Sequence, residues 1–203
     1  RVEFTRLLVP LDGSALAEAA LPHAAQFVRS MHPGEVVLLT VVEDTAGQGL
    51  HLAEGYLRFQ AGLLEKALAG CHGPAPEVRT AAIGGEVASA ILRFGEGNGV
   101  DLIMMCTHGR SGVDRWLLGS VAERVLRGAD IPVYLVRVSD SVSAAQPRLG
   151  CILVPLNGSA LAEQTLPYAE SLATGASCRV LLPHVKPQVE GEAFASLRPR
   201  RAG

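Results

Sequence analysis

From residue 6 to residue 138 the chain repeats one pattern: a short apolar run, then a longer stretch with helical spacing, with no hairpin turn between them. The apolar runs are residues 6–11 (RLLVPL), 35–42 (EVVLLTVV), 77–83 (EVRTAAI, the weakest), 101–107 (DLIMMCT) and 132–138 (PVYLVRV). Helical spacing fills residues 14–31, 50–69, 85–99 and 116–129. Strands joined this way are parallel, because only a crossover returns the chain to the same edge, and such crossovers are right-handed. Helices then cover both faces of the sheet, which explains strands that are apolar throughout rather than alternating. The expected fold class is α/β: a doubly wound five-stranded parallel sheet with helices on both faces. Ser14 fits the N-cap of the first helix, and Pro22 inside it predicts a kink or an early break.

The opening of this pattern occurs twice. Residues 7–24 read LLVPLDGSALAEAALPHA and residues 152–169 read ILVPLNGSALAEQTLPYA, identical at thirteen of eighteen positions. The expected organisation is therefore an α/β domain over residues 1–138, a polar linker over 139–150, and a partial second copy over 151–203. That copy reads as strand (151–156), helix (about 159–174) and strand (179–185), followed by a tail with no clear period. Asn157 stands where Asp12 stands in the first copy. The second copy reaches no counterpart of the fourth strand, so it lacks the loop that follows that strand. A strand–helix–strand unit is too small to fold alone; the expectation is that it is ordered by docking, on its own first domain or on another chain's matching fragment, and the alternative is that it is the opening of an ordinary second domain of a tandem protein.

Composition limits the partners. Apolar residues make up 48% of the 203 residues and aromatics only 4%, so Val, Leu, Ile and Ala must build the core. With 18 basic against 20 acidic residues and no basic stripe, a nucleic-acid partner is not expected. No apolar run approaches the ~20 residues of a membrane span, and the N-terminus lacks a signal-peptide layout. Cys71, Cys106, Cys151 and Cys178 show no metal-ligand spacing, so no metal site is assigned and a reducing cytoplasm is expected.

In an open parallel sheet, ligands bind beyond the C-terminal ends of the strands, at the point where strand order reverses. Three segments should meet there: Pro10 to Ser14 (PLDGS), the end of the second strand at Thr40 and Val41, and residues 106–120 (CTHGRSGVDRWLLGS). Gly109 and Gly112 let backbone approach a ligand, while Gly119 and Ser120 lie at the start of the next helix. The unpaired N–H groups of such a start favour an anion, and Arg110 and Arg115 add positive charge. A surface loop whose Ser merely caps its helix is the plainer alternative. Asp12 likewise reads either as a ligand contact or as the organiser of an Asx-turn. Neither GxxxxGK[ST] nor GxGxxG occurs. His108 has an imidazole that titrates near neutrality, but no nucleophile or paired carboxylate accompanies it, so no catalytic residue is assigned.

The stretches LLVPLDGSALAEAALPHA, LLTVV and DLIMMCTHGRSGVDRWLLGSVAERVLRGADIPVYLVR together resemble the universal stress protein family. The resemblance spans residues 7 to 137, and residues 152–173 resemble the opening of a second such domain. Nucleotide-binding members of that family carry Gly-x-x-Gly-x9-Gly-Ser/Thr. On this chain the last three motif positions fall on Gly109, Gly119 and Ser120, and the first falls on Cys106, a departure. The resemblance implies that Asp12 contacts the nucleoside and that the Val41 backbone contacts adenine. It implies an ATP-binding stress-response or regulatory protein, with Mg2+ as the companion ion of the nucleotide, acting as a homodimer in the cytoplasm. The alternatives are a nucleotide-free dimeric interaction module of the same family and, third, a slow ATPase. The nucleotide site is expected in the first domain, with Pro10, Cys106, His108, Arg110 and Gly112 among its lining residues.

Overall fold

The computed structural model describes residues 1–43, 48–71, 73–107, 119–137 and 147–185. They fall into two compact units, Val2–Leu149 and, together with Arg1, Gly150–Gly203.

In the first unit the elements run β1 (Arg6–Pro10), α1 (Ala15–Glu18), α2 (Ala20–Met31), β2 (Glu35–Val42), α3 (Gln48–Leu68), β3 (Glu77–Gly84), α4 (Val87–Gly97), β4 (Leu102–Thr107), α5 (Ser120–Gly128) and β5 (Val133–Arg137). The five strands form one sheet in the order β3-β2-β1-β4-β5, and every neighbouring pair is parallel. This is the expected doubly wound arrangement, with the reversal of strand order between β1 and β4.

Alternation along the strands divides the core between two faces. Leu8, Val37, Leu39, Ile103 and Met105 meet Ala88 and Ile91 of α4 and Ala122 and Val125 of α5. Their strand neighbours Leu7, Val9 and Leu38, also fully buried, turn to the other face, where α2 and α3 pack. Each fully buried Leu or Ile contributes ~1.5–3 kcal/mol relative to exposure. A surface ion pair gives ~1 kcal/mol at most, so packing rather than charge holds this fold.

The N-terminal end of the sheet is tied by polar groups. Asp101 Oδ2 accepts the Thr5 N–H and hydroxyl, both at 2.6 Å, and the Arg6 N–H at 3.1 Å. Glu35 is buried between Arg6 and Arg79, the latter at 3.0 Å. The opposite end, where β1, β2 and β4 finish, is left for a site.

The break expected near Pro22 falls earlier, at Ala19 between α1 and α2. Proline has no N–H to give the carbonyl four residues back, and here that carbonyl belongs to Glu18, so the helix stops one turn ahead of the ring.

The second unit repeats the opening geometry: β6 (Cys151–Leu153), α6 (Ala160–Glu163), α7 (Leu166–Ala176) and β7 (Arg179–Leu181), with β6 and β7 parallel. Beyond the short strands, pairing continues only through the bridge between Leu156 and His184, so the strands are shorter than the expected 151–156 and 179–185. Pro183 has no N–H to give the Val154 carbonyl, so the ladder loses that bond although Val154 N–H and Leu156 N–H still reach Leu181 and Pro183 oxygens. The helix expected over 159–174 is likewise split, again just ahead of a proline, Pro167.

Candidate functional site

β1 ends at Pro10, and the chain must turn at once into α1. Gly13 takes φ = 80°, a left-handed angle open to glycine, and Asp12 Oδ1 accepts the Ser14 N–H at 2.9 Å. Ser14 then caps α1 by accepting the Ala17 N–H at 3.1 Å. Asp12 therefore does organise an Asx-turn. The second unit makes the same turn without a charge: Asn157 Oδ1 accepts the Ser159 N–H at 3.0 Å, and Gly158 also has φ = 80°. The turn needs only a side-chain oxygen, so the carboxylate of Asp12 is surplus to it. Among the described residues, the other Asp12 oxygen has no hydrogen-bond donor, and the side chain is exposed.

A pocket of about 200 Å³ opens at the reversal of strand order. Pro10, Asp12, Val41, Cys106, Gly119 and Ser120 all line it. Of the other expected site residues, His108, Gly109, Arg110 and Gly112 lie outside the described residues, as does Arg115. Pockets enclosing a drug-sized ligand measure ~300–1,000 Å³, so the described walls hold part of such a molecule.

The walls divide by chemistry. Leu39, Val41, Val87, Ile91 and Met105 make an apolar floor, while Asp12, Ser14, Gly119 and Ser120 supply polar groups. The register between β1 and β2 ends at Pro10 and Leu39. In a parallel ladder the N–H and C=O of alternate residues point to the same neighbour. Val41 therefore directs its backbone groups, as Leu39 does, to the β1 side, past the end of β1. At the opposite wall, Gly119 is the N-cap of α5 with φ = −60° and ψ = 149°, and no side chain caps that helix. Its first N–H groups are donors for an anion, favoured further by the helix dipole. By contrast, α1 and α4 carry side-chain caps, from Ser14 and Glu86.

Cys106 lies in β4, opposite Val136 of β5, and its Sγ is 3.9 Å from the Ala17 carbonyl. Its backbone is not left-handed, so the conformational freedom of glycine is not used at this position. Burial, and then the charge of Asp12, push its thiol up to about 11, so it is a neutral SH at physiological pH. Glu86, at the N-terminus of α4, reaches Arg124 of α5 at 2.6 Å and joins the two helices that carry Val87, Ile91 and Ser120.

Sequence spacing did not single out Leu16, Ala17, Val87, Ile91, Val121 or Ala122 as lining. The i, i+4 spacing of Val87 and Ile91 was the available signal, but it reads equally as core. Among the described residues, no three His, Cys, Asp or Glu side chains cluster as for a metal, and no helix is long and apolar enough to cross a membrane.

The first unit is thus a doubly wound α/β domain with a mainly apolar pocket, polar at Asp12, Ser14, Gly119 and Ser120, at its switch point. The universal stress protein family model matches residues 3–137, and the chain belongs to that family. It is similar to universal stress protein MJ0531 of Methanocaldococcus jannaschii, at 34% identity over 142 residues, covering 66% of this chain and 82% of that one. Among solved structures it resembles a universal stress protein in complex with cAMP, at 21% identity and a TM-score of 0.54, covering 68% of this chain and all of the other. It also resembles the Archaeoglobus fulgidus universal stress protein in complex with dAMP, at 18% identity and a TM-score of 0.52, over 66% of this chain and 98% of the other. At these identities the two structures speak for the fold.

Proposed function

We propose that the first unit binds an adenine nucleotide, with ATP as the ligand and a regulatory rather than metabolic role in a stress response. The observation that carries this reading is one pocket in which, among the described residues, a carboxylate oxygen without a donor and a helix N-terminus without a side-chain cap flank an apolar floor. The floor of Leu39, Val41, Val87, Ile91 and Met105 suits a purine ring, and the Val41 backbone suits its polar edge. Asp12 suits a ribose hydroxyl, and the N–H groups after Gly119 suit phosphate. Two relatives of the same fold are complexes with adenine nucleotides, cAMP and dAMP. Mg2+ would arrive on the phosphates of the nucleotide, as it usually does. Nothing in the described pocket positions a water for hydrolysis, so turnover is not part of the reading.

The nucleotide-free alternative has one observation in its favour: a cysteine, Cys106, stands where nucleotide-binding relatives have the first motif glycine. In either case the expected assembly is a homodimer through the outer strand β5, whose mass in solution decides the matter.

Titration calorimetry on nucleotide-stripped protein tests the reading. Micromolar affinity, about −8 kcal/mol, is expected; no heat and no thermal shift at millimolar ATP would overturn it. Asp12→Asn should keep the turn, as Asn157 does, and leave the melting temperature nearly unchanged. It should weaken ATP binding about tenfold or more, since a hydrogen bond to a charged group contributes ~1.5–3 kcal/mol.

A further inference from the structure

Glu18 closes α1, a helix of only four residues, and its carboxylate is half-buried. Its Oε1 accepts two hydrogen bonds from α3, one from the Tyr56 hydroxyl at 3.0 Å and one from Gln60 Nε2 at 2.9 Å. Gln60 is buried and Tyr56 half-buried, although both sit on a helix whose outer face is open to solvent. The Tyr56 hydroxyl thus ties α3 to the residue that ends α1. Neither Tyr56 nor Gln60 lines the pocket.

This arrangement answers a physical need. One helical turn fixes several dihedrals for a single hydrogen bond, so α1 cannot hold its own shape. Yet α1 is a pocket wall: Leu16 and Ala17 line the cavity, and Asp12 stands directly before it. Both donors to Glu18 are neutral side chains. Burial, then the hydrogen bond to Glu18, raise the Tyr56 hydroxyl well above its ordinary range, so it stays a donor throughout the physiological range.

We propose that Tyr56 and Gln60 are positioning residues for the nucleotide site: through Glu18 they hold α1 and so fix where Asp12, just before it, stands in the pocket wall. The assignment rests on the nucleotide-binding reading for its ligand, but the restraint on α1 stands independently.

The test uses the full chain with Tyr56→Phe, which keeps the ring and removes the hydroxyl. Amide exchange followed by NMR should show the Glu18 and Ala19 N–H groups, which close α1, exchanging about tenfold faster in the variant, with the β1 and β4 amides unchanged. ATP affinity should fall about three- to tenfold. In an Asp12→Asn background the same change should cost less than about twofold, because the group being aimed is gone. Unchanged Glu18 and Ala19 exchange overturns the proposal, and so does an equal affinity loss in both backgrounds. If wild-type protein binds no ATP, the binding reading fails alone, and exchange in α1 still decides whether Tyr56 holds that helix. Should Tyr56→Phe fail to fold, Gln60→Met removes the second donor instead: faster α1 exchange with weaker ATP binding supports the proposal, and unchanged exchange overturns it.

Discussion

Cys106 brings a thiol to the pocket wall, 3.9 Å from the Ala17 carbonyl, at the position on which the first glycine of the nucleotide-binding motif implied by the resemblance falls. A glycine there would differ in volume alone, because the β4 backbone at this residue is ordinary extended chain. Cys106→Gly should therefore tighten ATP binding by giving the ligand room. It should also lower the melting temperature slightly, since glycine weakens a strand interior by ~0.5–1 kcal/mol. Calorimetry and a thermal melt read the two effects separately; weaker binding would mean the thiol contributes contact. With its proton held up to about 11, Cys106 should also be alkylated at pH 8 far more slowly than exposed Cys151, and more slowly still with ATP present. Peptide mass spectrometry after timed iodoacetamide treatment gives the order. At this scale the sequence was partly readable. Asp12, Val41, Gly119 and Ser120 came from strand ends and a helix start, whereas Tyr56 and Gln60 could not be found. Their role depends on which face of α3 meets Glu18, and spacing along one helix does not carry that.

Among the elements, the strands were the most legible, because a parallel sheet covered on both faces demands unbroken apolar runs. Helix ends were less so. The α1–α2 break sits at Ala19 although the residue responsible is Pro22, and α4 begins with an unusual cap, Glu86. Glu86 accepts the Ala88 and Ser89 N–H groups and the Ser89 hydroxyl. The Ser89 hydroxyl, followed by its N–H, holds the Glu86 carboxyl down to about 2, with Arg124 adding a smaller share. A folded value below the ordinary 4.5 means the cap stabilises fully above that pH and is lost as pH falls toward about 2. Glu86→Gln should therefore melt below the wild type by a constant margin above pH 5, and the margin should shrink as pH drops from 4.5 to 2. A margin independent of pH would show that the charge is irrelevant. In α3, Gly55 and Gly62 occupy helix interior positions where an added Cβ meets nothing within 4 Å. Each Gly→Ala change should raise stability by ~0.5–1 kcal/mol, or about 1–4 °C in the melt. A drop in Tm at either site would reveal a close contact of the glycine surface with another molecule.

For the molecule as a whole, the repeat was legible at once, but the exposure of its strands became clear only from burial. Leu8 and Val37 pair in register and are 0% and 4% exposed beneath α4 and α5. Their counterparts in the second unit, Leu153 and Leu181, pair in the same register and are 63% and 53% exposed. The second unit thus has a sheet face with the composition of a core and the accessibility of a surface. Gly150–Gly203 is also shorter than the ~60 residues at which independent domains are already marginal. We expect a fragment of residues 2–149 to fold, to melt close to the full chain, and to keep whatever nucleotide affinity the full chain has. A fragment of residues 150–203 should show a coil-like circular dichroism spectrum at low concentration and self-associate as it is raised, because bare apolar strands recruit each other. If the second unit serves assembly, light scattering should give a larger particle mass for the full chain than for residues 2–149, beyond the difference in chain length. Equal oligomeric states would remove the assembly role. A cooperative melt of residues 150–203 as a monomer would remove the deeper premise that two short strands and a split helix cannot stand alone.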